Sequence, residues 1–314
     1  MDVGFIGLGN VGAKLAGSLL REGHALRVHD LDAARVVEFV ERGAMDGGSP
    51  AQMMQDCAAV ITCLPSPAAC EAVVQQLLPH VGPGKMWLEM STTQADAVER
   101  LGAEVIARGG MAADCPVSGG CHRAATGNIS IFAGCERETF EAALPLLSAL
   151  GRDILHTGPL GSARRLKVMT NYLATAHLLT LCEALTTMAA AGLDLSTTYE
   201  AIRISSGNSF VHETESQMIL NGRRTIDFTM DLVAKDIGLF QQMAEGAGVP
   251  LEISPLMVAI FQDGIARYGE RAQSDRIIER LEEATGLSIT APGFPDEMVD
   301  DVPGAPGREV VPRR

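Results

Sequence analysis

The stretch Val3–Gly4–Phe5–Ile6–Gly7–Leu8–Gly9–Asn10–Val11–Gly12 decides how this chain is read. Residues 2–6 form a short apolar strand, and a helical pattern over 11–22 follows the glycines. In a strand–turn–helix, Gly7 permits the tight turn and Gly9 lets a pyrophosphate approach the backbone. Gly12 lets the helix pack on the strand. The helix N-terminus then offers unpaired N–H groups and partial positive charge to phosphates. A second strand, 25–29, ends in His29–Asp30, and Asp30 stands eighteen residues past Gly12. An acid there accepts hydrogen bonds from the adenosine ribose diol and repels a 2′-phosphate. No arginine follows Asp30 directly, Arg35 being the nearest, so NAD is expected over NADP. The competing reading makes Asp30 a cap for a helix starting near Asp32.

Outward from this motif, short apolar runs at 58–62, 86–89, 111–115, 129–133 and 153–156 alternate with helical patterns such as 68–78, 93–107 and 137–149. Such alternation predicts a doubly wound parallel sheet with helices on both faces. The pattern changes at Gly158–Pro159–Leu160–Gly161. Beyond it only helical periodicity is found, at 162–191, 196–205, 213–221, 231–246, 255–267 and 275–285. The expected layout is an α/β dinucleotide-binding domain over 1–161, an all-α domain over 162–288, and a loosely ordered Pro-rich tail over 289–314. Helix 162–191 is apolar on nearly every face, which asks for cover beyond one small domain. A homodimer or homotetramer built through the helical domain is the expectation.

The 314 residues exceed what one core usually serves. Lys+Arg 25 against Asp+Glu 39 leaves a net charge of −14, which argues against nucleic-acid partners. An anionic substrate must therefore meet a locally positive pocket. Seven scattered cysteines without a C-x-x-C fit a reduced, cytoplasmic protein without a metal site. The most apolar segment, Val168 to Cys182, is interrupted by Asn171 and His177 and is too short for a membrane span. The chain opens directly on a strand, so no leader is expected.

Two further segments bear chemistry. Asp114–Cys115–Pro116–Val117–Ser118–Gly119–Gly120 closes a predicted strand, where doubly wound sheets line their ligand crevice. The Ser118 hydroxyl and the glycine N–H groups suit a carboxylate; an ordinary turn fits equally well. Lys167 and Asn171 share one helix face at i, i+4 spacing. A lysine in so apolar a helix is costly to bury unless used, yet snorkelling near a helix start is common. Spacing alone favours the snorkelling lysine.

These segments, in this order, resemble the β-hydroxyacid dehydrogenase family, of which 3-hydroxyisobutyrate dehydrogenase is the best-known member. The resemblance rests on the strand and glycine motif of residues 3–12, on Asp114–Gly120 followed by Gly127, on Lys167 with Asn171, and on Lys235–Asp236 after Phe228. It runs from about residue 2 to 288. It implies a Rossmann-type domain followed by a helical domain like the C-terminal one of 6-phosphogluconate dehydrogenase. It implies Lys167 as general acid/base, Asn171 placing the substrate, and Ser118, Gly119 and Gly120 holding its carboxylate. Gly7, Leu8, Gly9, Asn10, Val11, Gly12, Asp30, Leu64, Pro65, Thr92 and Lys235 are the implied cofactor contacts.

The implied activity is reversible NAD-dependent oxidation of a short 3-hydroxy acid to its semialdehyde. A reductase of tartronate semialdehyde, glyoxylate or another small anionic aldehyde is the near alternative. A non-catalytic dinucleotide-binding module is the alternative of another class. Imine-reducing relatives usually replace the lysine, so Lys167 argues against them. The chain departs from the family pattern at Cys121–His122–Arg123, where small residues are common. Arg123 is a candidate for a second anionic group of the substrate, or a solvated residue at the cleft mouth. His122 and His212 add imidazoles near the predicted pocket.

Overall fold

Ten strands make one sheet in the computed structural model, which describes residues 1–91 and 94–313. They are β1 (Asp2–Ile6), β2 (Ala25–His29), β3 (Met45–Asp46), β4 (Ala59–Thr62), β5 (Met86–Glu89), β6 (Met111–Asp114), β7 (Val117–Ser118), β8 (Ser130–Gly134), β9 (Asp153–Gly158) and β10 (Arg308–Glu309). The order is β10-β9-β8-β6-β5-β4-β1-β2-β3, with β7 paired to β8. Its parallel half, 3-2-1-4-5-6, is that of a doubly wound dinucleotide-binding sheet. β1 pairs in parallel with both β2 and β4. The chain therefore reverses its winding between them, and the ligand crevice of such sheets opens at that point.

Alternation along each strand fills both faces. Val3, Phe5, Ile61 and Leu88 join Leu15, Leu19 and Phe39 in one core. Ile6, Val60 and Trp87 join Met53, Val74 and Leu101 in the other. Side-chain caps start the covering helices. Asp32 accepts from the Ala34 N–H, while Ser49 and Ser66 each stand ahead of a proline at the first helical turn.

The chain divides into two compact units, Met1–Lys167 with Asp300–Arg314, and Val168–Val299. The second is helical, with Leu178, Leu185, Ile219, Met230, Ile237 and Phe261 at its core. The boundary falls inside the helix Ser162–Ala190, six residues past the expected start at 162. By length and composition this helix is long and apolar enough to cross a membrane, a test that core helices of soluble proteins also pass. The run 275–285 begins as a 3₁₀ turn, Ser274–Ile278, before becoming α-helical.

The tail, expected to be loosely ordered, makes defined contacts with both units. Ile289 is fully buried in the second unit's core. Residues 308–309 add the parallel edge strand β10 to β9, the Arg308 N–H donating to Arg152 O at 2.8 Å and the Val310 N–H to Ile154 O at 2.7 Å. Arg137 pairs with Glu309 and Arg308 with Asp153. Proline is compatible with such an arrangement because an edge strand leaves half its backbone unpaired.

Candidate active site

The glycine loop is closed beneath and open above. The Gly7 N–H donates to His29 O at 2.9 Å, and Gly7 has φ +99°. A Cβ there would stand 2.2 Å from Cys63 O, and one on Gly12 2.0 Å from Gly7 O. Only glycine fits either place. Above Gly9 the nearest atom to a hypothetical Cβ is Arg35 Nη1, 3.8 Å away. Room for a pyrophosphate therefore lies over Gly9, and Asn10–Val11 lead into the helix Gly12–Arg21.

The Asp30 carboxylate accepts from the Leu8 N–H at 2.6 Å and the Asp32 N–H at 2.9 Å. Asp32 is the helix cap, so the competing reading of Asp30 falls to its neighbour. Asp30 ties the end of β2 to the glycine loop. Arg35 Nη1 donates to Leu8 O at 2.6 Å, and Arg35 Nε to Asp32 at 3.3 Å.

Leu64–Pro65 follow β4, next to Cys63 beneath Gly7. The Leu64 N–H donates to Ser91 Oγ at 2.7 Å, and the Ser91 N–H to Glu89 Oε1 at 2.6 Å. Glu89, fully buried, also accepts from Thr62 Oγ1 at 2.5 Å and Cys70 Sγ at 2.9 Å. One carboxylate thus joins the loops after β4 and β5. Sequence reasoning passed over Glu89, although an acid ending the apolar run Met86–Trp87–Leu88 was a visible signal. Thr92 lies outside the described residues.

At the second candidate segment of the first unit, Lys167 is 9% exposed and its Nζ donates to Ser118 Oγ at 3.3 Å. β7 holds Ser118 opposite Ser130. The next two residues take positive φ, +129° at Gly119 and +82° at Gly120, turning the chain into the helix Gly120–Thr126. Arg123 lies back over this turn, its Cδ 3.1 Å from where a Gly119 Cβ would be. Burial lowers the His122 pKa, and the charge of Arg123 adds to the effect.

A buried ion pair sets these parts against each other, and sequence reasoning missed it. Arg164 Nη2 meets Asp114 Oδ1 at 2.7 Å with side-chain exposures of 1% and 0%. The Arg164 N–H donates to Asp114 Oδ2 at 2.9 Å. Burial pushes the Asp114 carboxyl up, against the pull of the guanidinium. The first turn of the long helix is therefore fastened to the end of β6, three residues before Lys167.

In the second unit, Asn171 Nδ2 donates to Asp236 Oδ2 at 2.6 Å, and Lys235 Nζ lies 3.4 Å from Asp236 Oδ1. Asp236 is buried and orients Asn171, a role its place beside Lys235 did not reveal. His212 is 1% exposed, its Nε2 2.9 Å from Tyr199 O and its ring against the Tyr199 ring, with its pKa lowered by burial. That is a packed core histidine.

Comparison with known proteins shows the family. Residues 2–158 match the NAD-binding domain of 6-phosphogluconate dehydrogenase. Residues 161–281 match the NAD-binding family description of NADP-dependent 3-hydroxyisobutyrate dehydrogenase. A 2-(hydroxymethyl)glutarate dehydrogenase of Eubacterium barkeri is 31% identical over 92% of this chain and 98% of its own. An NAD-dependent L-serine dehydrogenase of Pseudomonas aeruginosa is 32% identical over 90% of this chain and 98% of its own. The fold is similar to that of a solved 3-hydroxyisobutyrate dehydrogenase from Salmonella typhimurium, with TM-score 0.81 and 24% identity over 89% of this chain and 99% of that one. The end-to-end match to these relatives and the dinucleotide-binding sheet make the chain an NAD(P)-binding oxidoreductase of the β-hydroxyacid dehydrogenase family.

Proposed function

We propose that the chain oxidises a short 3-hydroxy acid of the 3-hydroxyisobutyrate type to its semialdehyde, reversibly, with NAD preferred over NADP. The observation that carries this reading is the buried Lys167 amine within hydrogen-bond reach of Ser118. A buried lysine so placed can take the proton of a substrate hydroxyl and return it in the reverse direction. Ser118, Gly119 and Gly120 hold the substrate carboxylate, and Asn171, oriented by Asp236, helps place the substrate. Bound dinucleotide supplies the hydride acceptor, which the glycine loop, Asp30, Leu64–Pro65, Thr92 and Lys235 are assigned to hold.

Arg123 supports a second reading. Its stem covers Gly119, and a relative named for 2-(hydroxymethyl)glutarate takes a dicarboxylate. A guanidinium there can hold a second anionic group of the substrate by paired hydrogen bonds. A screen of mono- and dicarboxylic hydroxy acids with both cofactors separates the two readings. The core proposal is tested by Lys167→Ala, which is expected to cut kcat by ~10²–10⁴-fold while NADH still binds. A variant keeping most of its kcat refutes the role.

A further inference from the structure

The C-terminal segment Asp300–Arg314 lies beyond the matched family descriptions, the later of which ends at 281. It nevertheless returns to the first unit and grips one particular place. Asp300 Oδ2 accepts from Thr126 Oγ1 and, at 2.7 Å, from Asn128 Nδ2. Asn128 Nδ2 also donates to Val302 O at 2.8 Å, and the Asn128 side chain is buried. Thr126 and Asn128 flank Gly127, whose left-handed φ of +82° ends the helix Gly120–Thr126.

That helix has seven residues. A helix so short has little stability of its own and depends on what packs against it. One side is held by burial of Cys121 and Ala124, and Ser18 Oγ donates to Ala124 O at 3.4 Å. Its far end is held by Asp300. Its near end is the Gly119–Gly120 turn, and it carries Arg123.

We propose that Asp300 is a positioning residue for the substrate loop. Through Thr126 and Asn128 it fixes the end of the helix that starts at the Gly119–Gly120 turn, directly after Ser118, and carries Arg123. The C-terminal segment thereby sets affinity for the hydroxy acid, without touching the cofactor loop or Lys167. The inference rests on the substrate reading of Ser118–Gly120. Further anchors of the segment, among them Arg137–Glu309 and Arg308–Asp153, fasten it to the helix Arg137–Leu150 and to β9.

The test uses the full-length chain and two readouts. In Asp300→Ala, amide hydrogen exchange over 119–128 should quicken roughly tenfold, the loss of a hydrogen-bonded charged partner. KM for the hydroxy acid turned over by the wild type should rise by a similar factor, while kcat and NADH affinity stay within about twofold. Glu309→Gln, which weakens a different anchor, should lower Tm and leave both readouts unchanged. Should Asp300→Ala fail to fold, Thr126→Val removes one donor and is read in the same way. Unchanged exchange over 119–128 overturns the inference, as does faster exchange with an unchanged KM. Failure of the substrate reading itself looks different, because Ser118→Ala would then leave KM untouched.

Discussion

Asp114→Asn would strand Arg164. The substitution is nearly isosteric, so its cost arises from charge rather than from a cavity. The retained amide oxygen can still accept from Nε and Nη2, but the guanidinium, 1% exposed, loses its counter-charge, the amide NH2 faces the Arg164 N–H, and the other acceptor, Glu89 O, stands 3.4 Å from Nη2. Nη1 has no hydrogen-bond partner among the described residues, so the pair holds no reserve. Breaking a buried pair by removing one partner costs ~3–5 kcal/mol. That is a large share of the ~5–15 kcal/mol that keeps a domain folded. The single tryptophan, Trp87, is fully buried in the same unit and reports its unfolding by fluorescence. With a urea slope of about 2 kcal/mol/M, the midpoint should fall by about 1.5–2.5 M. Arg164 also lies one turn before Lys167, so kcat should fall in the residual folded enzyme. The double variant Asp114→Leu/Arg164→Met should recover most of the stability but not the turnover. A midpoint shift below about 0.5 M at unchanged slope would refute the reasoning, since it would mean that Arg164 finds water or another acceptor.

Three other outcomes are expected. Wild-type kcat/KM should be higher with NAD than with NADP, and Asp30→Ala should narrow the ratio; a wild-type preference for NADP defeats the argument from Asp30. In the second unit, burial pushes the Asp275 carboxyl up to about 7, and burial together with Asp275 pushes Glu215 up to about 8. The folded chain then keeps protons that the unfolded chain releases above pH ~4, so stability is lost as pH rises toward 8. Asp275→Asn should flatten that fall and melt higher than wild type in mildly alkaline buffer, with the gap closing towards pH ~4. A gap independent of pH would count against it. Light scattering should find a homodimer or homotetramer, because only 33% of the most apolar window of the helix Ser162–Ala190 is buried and Ile253 and Leu256 are exposed. A species of 33.2 kDa would contradict this.

Legibility in the sequence followed the range of the forces involved. The glycine loop could be read because each glycine answers a steric demand set a few residues away. Strands β1, β2, β4, β5, β6, β8 and β9 were visible as apolar runs. The two-residue strands β3, β7 and β10, and the seven-residue helices Pro50–Asp56 and Gly120–Thr126, have too few residues to establish a period. Arg164 with Asp114, and Asn171 with Asp236, are joined across 50 and 65 residues, which no local pattern encodes. Lys167 is the instructive case. Its spacing favoured a snorkelling side chain, and only the resemblance singled it out; the fold buries it beside Ser118.

Strand β10 has a consequence for synthesis. Between the completion of β9 at Gly158 and the emergence of Arg308 the ribosome adds about 150 residues, which takes roughly 8–30 s at ~5–20 residues per second. Throughout that interval β9 is a bare margin, the kind of unpaired strand that templates aggregation between nascent chains. The first unit to be translated is thus the last to be finished. A premature stop ahead of Arg308 would injure the amino-terminal half of the protein.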